Sequence, residues 1–307
     1  MRFYCKNNIY KFFREYIESL LLENDQLILY TEIEYIEISD DNISNIFISD
    51  IPNLNYIRFI NENNNIINLF YLNTEQLTRN EIKSFIENNL RVLINMSKTN
   101  NNINNNIKIN ILDYSLQNIK LFNELAIIKE FNLNNIYHIP YQYNEKEINK
   151  LKKLSNTIVK KDYDFSFCGL MSDYRIKIIN NLIKNNISIN NIHSWYNERD
   201  LEICKAKVLL NIHYNQNYNI YESIRCDRWI FSGNLVLSEN SFNDETNDLK
   251  DFMISTDYEN LENQANKIIK NINLYKKMCF SPKKLILLQE IINKKKETYI
   301  NFRKLYK

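Results

Sequence analysis

Val208 to Glu239 reads VLLNIHYNQNYNIYESIRCDRWIFSGNLVLSE. An apolar run, Val208–Ile212, breaks into polar residues. Asn219–Phe231 then has the spacing of an amphipathic helix, Gly233 stops it, and Leu235–Leu237 is the core of a second strand. Strand, helix and strand in so short a span are the pattern of a parallel βαβ unit. The 307 residues include only two glycines, Gly233 and Gly169. Gly233 reads as the residue just past a helix end, in the left-handed conformation.

The pattern continues on both sides. Asp164–Cys168 is a short strand ending at Gly169, followed by a helix over Tyr174–Ile187, a strand over Ile187–Ile192 and a helix over Arg199–Lys207. Downstream lie a strand at Asp251–Ser255 and a helix at Tyr258–Met278. These alternating elements predict a Rossmann-like α/β domain from about residue 158 to 280, with a parallel sheet covered on both faces. The first half is also α/β. Helices are expected at Tyr10–Leu22, Glu75–Met96 and Ser115–Phe131, and strands at Leu27–Tyr30, Asn45–Ser49, Ile66–Leu72, Ile107–Leu112 and Ile136–Ile139. The charged segment Glu145–Asn156 follows Pro140 and reads as a connector, so the domains are expected at 1–157 and 158–307. Lys283–Lys307 is a helix that either extends the second domain or crosses back to the first.

Hydrophobic residues make up 44% of the chain, with 16 Phe and 21 Tyr, enough for a large core. A net charge of +2 argues against a nucleic-acid partner such as duplex DNA. Five dispersed cysteines, Cys5, Cys168, Cys204, Cys226 and Cys279, read as reduced thiols in a cytoplasmic compartment. No secretory signal is expected at the start, and no apolar run is long enough for a membrane span. The Asn/Ile-rich stretch Asn42–Phe70 has the look of a repeat module, but no period extends beyond it. The run Asn100–Asn110 reads as a polar loop, and the sequons at Asn42 and Asn95 carry no weight in so Asn-rich a chain.

In open parallel sheets ligands bind at the carboxyl ends of the strands, and three ends stand out. At the first, Gly169 permits a positive φ or a close ligand approach, Ser172 or Asp173 caps the next helix, and Arg175 sits in its first turn, where an anion would complement it. A plain turn and a solvated arginine are the alternative. At the second, His213 and Tyr214 leave a strand, and Tyr221, Glu222, Ser223 and Arg225 open a helix, with Glu222 and Arg225 on one face. A carboxylate there can accept two ribose hydroxyls, while the helix start can hold a phosphate. An intrahelical ion pair and a satisfied histidine remain the alternative. At the third, Ser238 and Glu239 end the strand after Gly233. A capping or solvated carboxylate is the competing reading of Glu239.

Together FSFCGLMSDYR (Phe165–Arg175), Val208–Glu239 and DLKDFMISTDYENL (Asp248–Leu261) resemble the donor-binding half of GT-B glycosyltransferases, above all the divergent, mimivirus-like group of large DNA viruses and some bacteria. YLNTEQL (Tyr71–Leu77), ILDYSLQNI (Ile111–Ile119) and YHIPYQYN (Tyr137–Asn144) add a weaker resemblance in the first half. It implies two Rossmann-like domains facing a cleft, a nucleotide-sugar donor, and a glycan or glycoprotein acceptor, with no metal required. It would place Glu222 against the ribose or donor sugar and Arg175 and Arg225 at the diphosphate. A viral origin would put the protein in the host cytoplasm or the virion. Many GT-B members carry a glutamate five positions before the glycine that ends this helix, and Arg228 stands there. Glu75 and Asp113, both at expected strand ends, are the candidate general bases for an inverting reaction, an N-cap or buried hydrogen bond being the alternative for each. A metal-binding DxD is not evident, SDD at Ser39–Asp41 being a weak match. The competing functions are an inactive nucleotide- or glycan-binding protein of the same fold and the repeat module.

Overall fold

A computed structural model describes residues 1–31, 45–48, 68–99, 108–131, 133, 135–242 and 247–306. SDD at 39–41, the sequon at 42, most of the repeat-like stretch 42–70 and most of the run 100–110 lie outside the described residues. The chain divides into two compact units, 1–142 with 297–307, and 143–296.

The first unit holds a six-stranded parallel sheet: β1 (Arg2–Lys6), β2 (Gln26–Tyr30), β3 (Asn45–Ile48), β4 (Asn68–Asn73), β5 (Lys108–Asp113) and β6 (Ile136–His138), in the order β2-β1-β3-β4-β5-β6. Its helices are α1 (Asn7–Ser19), α2 (Asn80–Thr99), α3 (Leu116–Glu124) and α4 (Ala126–Glu130). The second unit holds β7 (Tyr163–Cys168), β8 (Ile189–Ile192), β9 (Ala206–Asn211), β10 (Leu235–Glu239) and β11 (Ile254–Thr256), all parallel, in the order β11-β10-β9-β7-β8. Its helices are α5 (Glu145–Thr157), α6 (Asp173–Lys184), α7 (Tyr196–Cys204), α8 (Ser223–Phe231), α9 (Leu261–Lys270) and α10 (Ile272–Phe280). In both sheets the strand order reverses once, between β1 and β3 and between β7 and β9. Such a reversal opens a crevice at the strands' carboxyl ends.

Apolar runs build the second sheet because both its faces are covered. Phe165, Phe167, Val208, Leu210, Leu235 and Leu237 are buried in one cluster with Ile178, Ile179 and Leu182 of α6 and Leu261, Ala265 and Ile268 of α9. Gly233 has φ +81°, and its amide donates to Ile230 O while that of Asn234 donates to Trp229 O. This is the glycine-terminated helix end expected from the sequence.

Several elements differ from the sequence pattern, each for a local reason. β1, with Phe3, Tyr4 and Cys5 buried, carried no strand expectation, although it lies between β2 and β3. The helix expected from Glu75 begins at Asn80, because the Asn73 side chain accepts from Glu75 N at 3.2 Å and donates to Glu75 O at 2.8 Å, forming a turn. Ser115–Phe131 splits at the buried Leu125, whose ψ is 138°. The helix expected from Asn219 starts at Ser223, since Ile220 and Tyr221 are buried in the preceding loop. Tyr258–Met278 splits at Asn271, with φ −133° and ψ 37°. The expected connector is α5, which packs on α7 and α8 through buried Ile148 and Leu151. The division therefore falls at Gln142/Tyr143 and not at 157/158.

The last helix, α11 (Pro282–Lys304), starts in the second unit and ends in the first. There Tyr299 donates to Leu20 O at 2.5 Å, Tyr306 donates to Tyr137 at 2.6 Å, and Arg303 makes a two-pronged ion pair with Asp25. Burial opposes ionisation of Asp25, but hydrogen bonds from Arg303 and the Leu22 amide hold its carboxyl down at about 2. A depressed pKa stabilises above the ordinary carboxylate value and is lost as pH falls through the native one. Asp25→Asn should therefore cost about 2 kcal/mol at neutral pH and flatten the loss of stability between pH 4 and 2, read from urea unfolding across pH.

Candidate functional site

Gly169 follows β7 at the point of strand reversal. Its φ is not in the left-handed region, so what the glycine offers here is room and not a special backbone angle. A Cβ would lie 3.1 Å from Arg225 Nη2, 3.1 Å from Phe167 Cζ and 3.2 Å from Arg175 Nη1. Two guanidiniums thus crowd the missing side chain, both over the Phe167 ring at 5.2 and 6.0 Å. Arg175 is buried. Its Nε donates to Ile212 O at 3.0 Å and His213 O at 3.2 Å, Nη1 to Leu170 O at 2.6 Å, and Nη2 to Ile212 O at 2.7 Å. Burial and the nearby Arg225 charge pull its pKa down to about 10, so it stays cationic at neutral pH. Its donors serve the protein's own carbonyls. Arg225 is the more open of the two: Nη1 donates to Asn211 Oδ1 at 3.0 Å and Nη2 pairs with Glu222 Oε2 at 2.9 Å. Glu222 also lies 3.7 Å from Arg175 and is partly exposed. The Glu222–Arg225 ion pair, given above as the alternative to ligand binding, is formed, with Arg175 as a third member.

The ends of β9 and β10 are tied to each other. Glu239, buried, accepts from the His213 amide at 2.7 Å and from the Tyr174 hydroxyl at 2.5 Å. Burial and this carboxylate raise the Tyr174 hydroxyl far above its ordinary value, keeping it a donor. Asn211 bridges the strands, donating to Ser238 Oγ at 3.0 Å. His213 Nε2 lies 3.1 Å from Asn240 O, and since a carbonyl only accepts, Nε2 carries the proton. Burial, helped by the Arg175 charge, lowers the His213 pKa, so the ring is neutral and Nδ1 is a buried acceptor without a hydrogen-bond partner. Ser172 caps α6 by accepting from Arg175 N at 3.2 Å and donates to Tyr214 O at 2.5 Å. Tyr214 itself sits over Arg175, 5.5 Å from ring centroid to guanidinium.

Other expected residues turn inward. Ser223 opens α8 with its Oγ buried and unpartnered. Tyr221 is buried, and its hydroxyl donates to Asp227 at 3.2 Å. Asp227 pairs with buried Lys295 at 3.3 Å, and Lys295 with Asp248 at 3.1 Å, which fixes α8 to α11. Arg228, at the position where the resemblance would have a glutamate, is buried between Glu147 of α5, at 2.8 Å, and Asp200 of α7. It holds three helices together.

In the first unit, Asn73 and Asp113 end the neighbouring strands β4 and β5 in register. Asp113 is fully buried and accepts from Asn73 at 2.6 Å, the Ser115 amide at 2.7 Å and Asn118 at 3.4 Å. Burial pushes its carboxyl up to about 8 against the pull of those three donors. Asn118 also donates to Glu75 O at 2.7 Å and accepts from Leu77 N at 2.9 Å, fixing the loop that carries the half-buried Glu75. Asn73, Asn118, Asn211 and Tyr174 carried no sequence signal, because Asn and Tyr are everywhere in this chain. Among the described residues no group of three or more His, Cys, Asp or Glu could hold a metal ion, and no helix is long and apolar enough to cross a membrane.

Uncharacterized protein L140 of Acanthamoeba polyphaga mimivirus is 34% identical over 272 residues, covering 86% of this chain and 78% of L140. The chain belongs to the same family as L140. Two further mimivirus relatives, uncharacterized proteins L138 and L137, are 34% and 35% identical over 88% and 87% of this chain. The family's shared region covers only 29% of L138 and 33% of L137, so the chain spans about a third of their length. No family model matches the chain. A crystal structure of alpha1,3-fucosyltransferase with GDP aligns with 95% of this chain and 90% of that one, at 11% identity and a TM-score of 0.39.

Arg228→Met would remove the buried cation between Glu147 and Asp200, leaving Asp200 with Arg199 alone at 3.2 Å, and should cost about 3 kcal/mol in urea unfolding. Gly233→Ala forces a side chain into the left-handed region and should cost about 1 kcal/mol in the same assay.

Proposed function

We propose that the chain is a GT-B-type glycosyltransferase, moving a sugar from a nucleotide-diphosphate sugar to a hydroxyl of a glycan or glycoprotein without a required metal. The supporting observation is the group at the strand reversal of the second sheet, where Gly169 leaves room for Arg225 and Glu222 stands beside it. In this reading Glu222 accepts the ribose hydroxyls. Arg225 exchanges part of its pairing with Glu222 for the diphosphate and stabilises the charge that develops on the leaving group. Arg175 holds the three loop carbonyls that position both, and Glu239 fixes the His213 amide and Ser172 the Tyr214 carbonyl beside them. Glu75 is assigned as the general base that deprotonates the acceptor, and Asp113, enclosed by donors, as the anchor of its loop.

A binding-only protein of the same fold is the second reading. It is favoured by the enclosure of Asp113 and by the commitment of the Arg175 donors to carbonyls.

Glu222→Ala and Arg225→Ala should each weaken UDP or GDP binding by ~1–3 kcal/mol in calorimetry while leaving the thermal midpoint within a few degrees. Donor hydrolysis should persist in EDTA and be lost in Glu75→Gln. Nucleotide binding without hydrolysis or transfer from any nucleotide-sugar would establish the second reading. Unchanged binding in both alanine variants would reduce the pair to an ordinary helix ion pair.

A further inference from the structure

The chain's net charge of +2 is unevenly spread. Between Glu262 and Glu290 there is no acidic residue, while Lys267, Lys270, Lys276, Lys277, Lys283 and Lys284 all fall there. The stretch is most of α9, all of α10 and the first turns of α11. Lys284 is engaged locally: its Nζ donates to Asp251 O at 2.5 Å and lies 5.8 Å from the Phe252 ring centroid. The other five lysines are exposed.

The apolar residues of this stretch are as unusual. One side of α10 faces the core, with Cys279 buried and Ile272, Tyr275 and Phe280 packed against it. The opposite side of a surface helix is normally polar. Here Leu274 and Met278, four apart and so on one stripe, are 56% and 55% exposed. Ser281 alone joins α10 to α11, whose first turns carry Leu285, Ile286 and Leu287 at 47%, 64% and 39% exposed. Large aliphatic side chains and lysines from a stretch without acidic residues therefore share one helical corner of the second unit.

We propose that this α10–α11 corner docks on an anionic membrane leaflet, holding the protein there peripherally. Exposed aliphatic side chains lower their free energy by entering the headgroup–acyl boundary, and lysines beside them meet lipid phosphates and carboxylates. A nucleic acid would satisfy the lysines but offers the aliphatic side chains nothing, and the aromatic rings that stack on bases, Tyr275 and Phe280, are turned to the core here. The inference does not depend on the proposed glycosyl transfer.

Cosedimentation of the full chain with lipid vesicles tests it. The protein should pellet with phosphatidylcholine vesicles containing about 30% phosphatidylserine and stay in solution with phosphatidylcholine alone, in about 0.1 M salt. The triple variant K276E/K277E/K283E should partition at least roughly tenfold less. Leu274→Ser with Ile286→Ser should remove the binding that survives about 0.5 M salt. K120E/K129E, at exposed positions of the first unit, should bind like the parent. All these positions are exposed, so melting temperatures should match the parent and separate lost docking from lost folding. Equal binding to both vesicle types, or parental binding by the triple variant, would overturn the proposal. So would capture of single-stranded RNA or polyglutamate through these lysines with no binding to vesicles.

Discussion

Arg175 is buried, cationic and hydrogen-bonded to main-chain oxygens of Leu170, Ile212 and His213, and the carboxyl edge of the second sheet is arranged around it. Burying a guanidinium costs several kcal/mol unless its donors are matched, so these loops have little freedom to move away. Two consequences follow. Gly169 lets the guanidiniums of Arg175 and Arg225 pack close, since an added Cβ would lie only 3.1–3.2 Å from them. The second arginine, held close to the first, is placed beside Glu222 at the mouth of the strand reversal. A positive pair is thus fixed where a doubly wound sheet offers its crevice.

Asparagine carries much of the remaining order. One Asn side chain can donate and accept at once, so Asn73, Asn118 and Asn211 each join two partners across strand or loop ends. In a chain this poor in glycine, the tight connections after β4 and β5 are made by side chain-to-backbone bonds and not by unusual backbone angles. The same economy appears at Arg228. A position read as a departure from the resemblance closes an ion cluster among α5, α7 and α8.

The shared region covers most of L140 but about a third of L138 and L137. Sequence related to most of this chain thus recurs in proteins of different length. In this chain residues 297–306 pack back on the first unit, through Arg303 on Asp25 and Tyr306 on Tyr137.

The sequence by itself determined the α/β class, the alternation of the second half, the helix end at Gly233 and the placement of Glu222 and Arg225 on one face. Each rests on periodicity or spacing within a few residues. Only the tertiary structure decided that Gly169 serves two arginines, that Arg175 is spent on carbonyls, that Tyr221 and Asp113 are enclosed, and that α5 belongs to the second unit. Those outcomes depend on which distant groups fill the space beside a residue, as Arg225 does beside Gly169 and Asn73 beside Asp113. Burial, set by such neighbours, changes the role of a side chain without changing its place in the sequence.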